Sequence, residues 1–174
     1  VQEVQEMAIG DENAPITIVE YASFTCPHCA TFHENVYHDL KADYIDTGKV
    51  RFVFREVYFD RFGLWASMVA RCGGEERFFG ISDLLFQNQS TWSRAESPVE
   101  IADEIRKIGR VAGLDGDAVN ACLEDEDQAR ALYDWFLANA EVDEITSTPT
   151  LLINGEKHSN ISYADLKEIL DDLL

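Results

Sequence analysis

Two cysteines stand three positions apart in "SFTCPHCATF", residues 23–32. At that spacing Cys26 and Cys29 can clamp a metal, staple a loop, or trade a disulfide with other thiols. A zinc site wants a second pair of ligands. There is no second Cys-x-x-Cys, and Cys72, Cys122 and the four histidines His28, His33, His38 and His158 make no ligand-spaced set, so no metal is expected. A staple across so short a loop removes little freedom from the unfolded chain. Exchange chemistry needs only one sulfur held as a thiolate beside a second thiol, and the residues favour that reading.

The flanking pattern supplies the thiolate. Cys26 follows the β-rich run "APITIVEYASF" and precedes a helical one. Pro27 suits the first position of a helix, where its missing N–H would be unpaired anyway. Cys26 then sits at the helix N-terminus, near free backbone N–H groups and the positive end of the dipole. Cys29 falls on the same face one turn on. His28, as a cation or an N–H donor, would favour the Cys26 thiolate further. A low-pKa thiol leaves easily and stabilises the dithiol form, so the oxidised pair tends to give its disulfide away.

The elements that must position this pair can be read from periodicity. A strand is predicted from about Thr17 to Phe24, entered through Pro15. Cys29, Phe32, Val36, Leu40 and Tyr44 recur on one helical face, which Gly48 ends. "KVRFVFREVYF" reads as a second strand, so the three make a parallel βαβ unit. Helical signals then take over. Trp65, Met68, Val69 and Cys72 form one stripe closed by Gly73–Gly74, and Phe78 to Phe86 forms another. Ser97, Pro98 and Glu100 are a cap, a first-turn proline and a capping box, with Ile101, Ile105, Ile108 and Ala112 as the inner face. "GDAVNACL" and "DQARALYDWFLANA" add two helices. Strand signals return at Thr150–Ile153, followed by the hairpin pair Asn154–Gly155. The last helix is capped by Ser162 and turns Leu166, Ile169, Leu170 and Leu173 inward.

The resulting order is βαβ, a helical block, then ββα: an α/β domain split by a helical insertion. Residues 1–59 and 142–174 are expected to form the α/β domain and 60–141 the insertion. The 174 residues suffice for one domain with a real core. Fourteen basic against thirty-three acidic residues give a net charge of −19. Such a chain repels nucleic acid and anionic membrane surfaces, and its excess acid reads as a heavily solvated surface. No apolar run approaches the roughly 18 residues needed to cross a bilayer. The N-terminus carries neither an initiator Met nor a basic-then-apolar leader, so an exported location presumes a signal peptide already removed.

"FTCPHC" between strand and helix, the helical insertion and "STPTLLINGE" together resemble the DsbA family of thiol–disulfide oxidoreductases, over nearly the whole chain. Pro-His between the cysteines is typical of DsbA proteins, whereas thioredoxins usually carry Gly-Pro. The resemblance implies a thioredoxin fold. It implies Cys26 as the accessible nucleophile and Cys29 as the buried resolving thiol. It implies that Pro149 is a cis-proline facing the pair, with the backbone of Thr148 bonding the bound substrate chain. Glu20, six residues before Cys26, matches the buried acid that the family often places beneath the site. Strand parity agrees, since Ile16, Ile18 and Phe24 share its face. A carboxylate there would be desolvated and could handle the Cys29 proton; the alternative is one that reaches solvent at the strand edge. His33 and Glu34, a turn beyond Cys29, read as exposed helix residues with no assigned role. Cys72 and Cys122 are either two buried small hydrophobes or a second disulfide of the kind some DsbA-like proteins carry, and the bridge is preferred.

The function so implied is a dithiol oxidase of the periplasm. It would donate the Cys26–Cys29 disulfide to unfolded exported proteins and be reoxidised by a quinone-linked membrane partner of the DsbB type. It would need no cofactor beyond its own disulfide and work as a monomer. An isomerase or reductase of the same fold is one alternative. Isomerases of this kind usually bring an extra dimerisation domain, for which the stretch before the first expected strand leaves no room. A non-enzymatic module binding metal or a partner through its cysteines is the other.

Overall fold

The computed structural model of the protein describes residues 3–159 and 161–174. Its strands are β1 (Met7–Ile9), β2 (Ile16–Ala22), β3 (Val50–Glu56), β4 (Thr150–Ile153) and β5 (Glu156–Ser159). They form one sheet in the order β1-β3-β2-β4-β5. β2 and β3 are parallel neighbours at its centre, while β1, β4 and β5 run antiparallel to their partners. Ile16, Ile18 and Val50 are buried on one face of these inner strands, while Thr17, Val19 and Arg51 between them are half-buried. β1 is an addition to the expected order. Three residues are too few for an alternating pattern to register in sequence; pairing with β3 is what orders them.

The helix after β2, α1, is irregular. It begins as Pro27–Phe32, takes a π-helical turn over His33–Tyr37, returns to α geometry at His38–Leu40 and ends in a second π turn over Lys41–Ile45. Cys29, Phe32, Val36, Leu40 and Tyr44 are all buried, as their spacing predicts. Each π turn adds a residue and rotates the helix beyond it. The first begins at His33, which is buried together with Val36 and Tyr37.

Between β3 and β4 lie α2 (Arg61–Ala70), α3 (Glu75–Gln87), α4 (Gln89–Trp92), α5 (Pro98–Val111), α6 (Gly116–Leu123) and α7 (Glu126–Val142); α8 (Tyr163–Leu173) closes the chain. These helices share one apolar core with the sheet: Phe78, Ile81, Ile101 and Ile105 belong to the same cluster as Ile18, Phe52, Phe54 and Leu166. The Ser97 hydroxyl accepts from the Glu100 N–H at 3.2 Å and Pro98 opens α5, but the Glu100 carboxylate reaches the N–H of Glu96, one residue before the cap. Asn154 and Gly155 both hold positive φ, 48° and 88°, the pair of left-handed residues that a tight two-residue hairpin needs. In α8, Leu166 and Leu170 are buried, whereas Leu173 is exposed because the core ends a turn earlier.

Cys72 and Cys122 are joined in a disulfide with Cα atoms 5.8 Å apart. Cys72 is not on the α2 stripe: it lies two residues beyond the last turn, so the bridge ties the end of α2 to α6. Both residues are half-buried. Beside the bridge, buried Arg71 donates from Nε and Nη2 to the two oxygens of buried Glu56, at 2.6 and 2.8 Å. This forked pair fixes the end of α2 against β3.

Candidate active site

The site is built where β2 hands the chain to α1. Cys26 has extended backbone, φ −82° and ψ 118°, and is the N-cap of α1, with Pro27 at the first helical position. Its sulfur accepts the Cys29 N–H at 3.4 Å. The helix start thus spends a backbone donor on sulfur, as an N-cap serine would on oxygen. Both sulfurs are free thiols in this structure. Cys26 retains 8% of its exposure and Cys29 none, so the first is the accessible member.

The two thiols are pushed in opposite directions. Cys26 is drawn down from 9.0 to about 5, above all by the S–H that Cys29 donates to it. Burial opposes the shift, and the Thr148 side chain and the backbone N–H groups of Cys29 and His28 add to it. Cys29 is pushed far up: burial penalises its thiolate, its bond to Cys26 holds its proton, and the negative charge of Glu20 repels a second anion. One sulfur is therefore ionised at neutral pH and the other stays protonated. The expected help from the His28 imidazole is replaced by its backbone N–H; the ring itself is exposed.

Thr148–Pro149 is a cis peptide, and the Thr148 carbonyl oxygen lies 3.8 Å from the Cys26 sulfur. The loop before β4 is thereby placed over the pair from the far side of β2. A cleft of about 350 Å³ opens beside it, lined by His28, Phe32, Val36, Pro149, Ile161 and Tyr163. Its wall is largely apolar and carries no carboxylate from these residues. Its members come from two helices and a loop distant in sequence, so no linear pattern reveals it.

Glu20 is wholly buried, 0% exposed, on the face that parity assigns it. His33 overturns its sequence reading. It is 3% exposed, not a surface residue, and its Nε2 is hydrogen-bonded to Glu20 Oε1 at 2.9 Å. The ring stacks on Phe86 with centroids 4.2 Å apart and packs edge-on to Phe54. The physical reason is helical spacing: His33 follows buried Cys29 by four residues and so shares its inward face. Glu34 does stay exposed.

Gln89 is a second residue that pattern reading missed. It is buried, and its Nε2 donates to the carbonyls of Phe24 and Cys26, each at 2.8 Å. One side chain of the helical insertion thus pins both ends of the turn that presents Cys26. Replacing Gln89 by Leu strands the Phe24 carbonyl, whereas the Cys26 carbonyl keeps the N–H groups of Cys29 and Ala30; one buried acceptor left unpaired costs about 1–3 kcal/mol. Urea unfolding of Gln89→Leu should show a loss of about 2 kcal/mol; an unchanged midpoint at equal slope would mean that the two bonds contribute nothing.

Among the described residues no cluster of three or more His, Cys, Asp or Glu is placed to hold a metal ion. Nor is any helix among them long and apolar enough to cross a membrane.

Comparison with known proteins agrees with the fold. A family model described as thioredoxin matches residues 2–172. A putative protein-disulfide oxidoreductase of Rickettsia bellii is 30% identical over 167 residues, covering 95% of this chain and 63% of the relative. The disulfide bond formation protein D of Bacillus subtilis is 27% identical over 172 residues, covering 94% of this chain and 74% of that protein. The crystal structure of α-DsbA1 from Wolbachia pipientis superposes with a TM-score of 0.89 at 28% identity, covering 99% of this chain and 92% of that one. The chain spans about three fifths of the length of the rickettsial relatives it matches.

Proposed function

The chain belongs to the thioredoxin family, in its DsbA-like branch, and from that premise we propose that it is a protein-disulfide oxidase. A substrate thiolate attacks the Cys26 sulfur of the oxidised pair. The Cys26–Cys29 bond breaks, Cys29 leaves and takes up a proton, and a mixed disulfide joins Cys26 to the substrate. A second substrate thiolate then attacks the substrate sulfur, and Cys26 departs as a thiolate. Two substrate thiols have become a disulfide, and the pair is left as thiolate and thiol. The observation that carries this reading is the asymmetry of the pair: a sulfur ionised near pH 5 is a good leaving group, and it stabilises the product dithiol.

The apolar cleft beside Pro149 suits an extended, uncharged stretch of an unfolded chain, and the backbone of Thr148 bonds that chain. Exported cysteine-containing proteins are the substrates, and a quinone-linked membrane reoxidase of the DsbB type restores the disulfide. The chemistry asks for no bound cofactor, and the chain acts as a monomer in the exported compartment. Its net charge of −19 sets it against nucleic acid partners.

Equilibration with glutathione redox buffer, read by alkylation of free thiols, tests the direction of exchange. At pH 7 a thiol lowered from 9.0 to about 5 favours the reduced pair by about 3 kcal/mol, or roughly 60 mV, over one with ordinary thiols. The potential should lie above the roughly −270 mV of thioredoxin, shifted toward the roughly −120 mV of DsbA. A value at the reducing end would assign the pair to reduction.

A further inference from the structure

Each exchange puts one proton on Cys29 and each reoxidation takes it off, yet Cys29 is wholly buried and has no direct route to water. Among the described residues, the carboxylate whose charge acts on it is Glu20, itself wholly buried. Glu20 is joined in turn to His33 through Oε1 and Nε2. Each member of this dyad keeps one polar atom without a partner among the described residues: Oε2 of Glu20 and Nδ1 of His33. A buried pair made only to hold elements together would tend to satisfy those atoms, because each orphan carries a desolvation cost. A proton conduit needs them open.

His33 also forms part of the wall of a second cleft, about 470 Å³, between α1 and the α3–α4 turn; Glu34, His38, Asp83, Gln87 and Ser90 line it too. The dyad thus runs from beneath the active pair to a polar, solvent-facing opening. The ionisable groups around His33 are few. Glu20 faces it from β2. Asp83 on α3 is near enough to sense both His33 and His38. Tyr37 and His38 lie on α1 itself, with Tyr37 in ring contact. The contacts from β3 and from the end of α3 are the uncharged rings of Phe54 and Phe86.

Resting on the oxidase reading above, we infer that His33 relays the proton of Cys29 between Glu20 and the cleft that Asp83 and His38 line. In the donating half-cycle, His33 gains a proton at Nδ1 from the cleft and gives up the one at Nε2 to Glu20. Glu20 passes a proton to the departing Cys29 thiolate. One proton enters from solvent and one lands on sulfur, while the electron pair of the broken S–S bond stays on Cys29. Reoxidation runs the relay backwards and restores the Nε2–H tautomer. His33 is a positioning and relay residue here; it touches neither sulfur.

The test is single-turnover reduction of the oxidised chain by glutathione between pH 5 and 8, for wild type and His33→Gln. Glutamine can still donate to Glu20 but cannot relay. The ratio of the two rates should change at least about tenfold over that range, because only the wild type draws the proton through a side chain that can carry one. The thiolate absorbance titration of Cys26 in the reduced protein should be the same for both chains. A constant rate ratio, meaning parallel profiles with any uniform offset, would overturn the relay. Should His33→Gln fail to fold, Glu20→Gln with His33 intact serves, and a profile parallel to wild type would again overturn it. Wild-type protein that exchanges no disulfide with glutathione would instead remove the oxidase reading on which the relay rests.

Discussion

Cys26→Ala is expected to abolish disulfide exchange, by roughly a thousandfold or more, since loss of an activated nucleophile commonly costs at least that much. The thiol that remains cannot substitute. Cys29 is fully buried and its proton is held by burial, so it supplies almost no thiolate at neutral pH. Cys29→Ser should behave differently. Its Cys26 thiolate can still attack glutathione disulfide, but nothing is left to attack the Cys26 sulfur and release the adduct. The mixed disulfide should therefore accumulate to one glutathione per chain, visible by mass spectrometry without reductant. Cys26→Ala, given the same treatment, should stay unmodified at Cys29. Labelling at Cys29, or a Cys29→Ser chain that sheds glutathione as fast as wild type closes its disulfide, would assign the roles the other way round.

The second large effect is on stability. In the reduced chain the Cys26 thiol ionises at about 5, against 9.0 for the unperturbed group. The folded value is the lower one. The stabilisation is therefore fully present only above pH 9 and is lost as the pH falls toward and through 5. Four units correspond to about 5 kcal/mol across the window, of which about 3 kcal/mol remains at pH 7. Urea unfolding of the reduced protein, compared at each pH with Cys26→Ser, isolates this contribution because the other titrating groups cancel. The gap between the two chains should close steadily from pH 9 to pH 5. A gap that stays level would mean that the helix start does not hold the sulfur as an anion. The same titration sets the direction of exchange, so these stability curves and the glutathione equilibrium must agree in sign.

Most of the frame that carries this chemistry is legible without coordinates. The βαβ start, the helices between β3 and β4, the Asn154–Gly155 hairpin and the Ser97 and Ser162 caps all rest on short-range rules, and short-range rules are what a sequence displays. The Cys26–Cys29 pair is visible for the same reason: cap position, proline and resolving thiol lie within four residues. Glu20 is intermediate. Parity assigns it to the inner face, but parity alone does not say what covers that face.

His33 and Gln89 were beyond such rules. His33 follows buried Cys29 by four residues and so lies on the inward stripe, but no spacing rule says that Glu20 waits there; only the packed fold brings the two together. Gln89 is one polar residue on a four-residue helix, and its two carbonyl partners lie more than sixty positions earlier. The apolar cleft beside Pro149 is drawn from α1, the cis-proline loop and the start of α8. Sequence alone thus determined which sulfur the helix start holds as a thiolate, because the electrostatics of a helix start are local to a few residues. The tertiary structure alone decided how the partner sulfur keeps its proton and where a substrate would lie. Burial and charge contact depend on groups that meet only when distant segments pack.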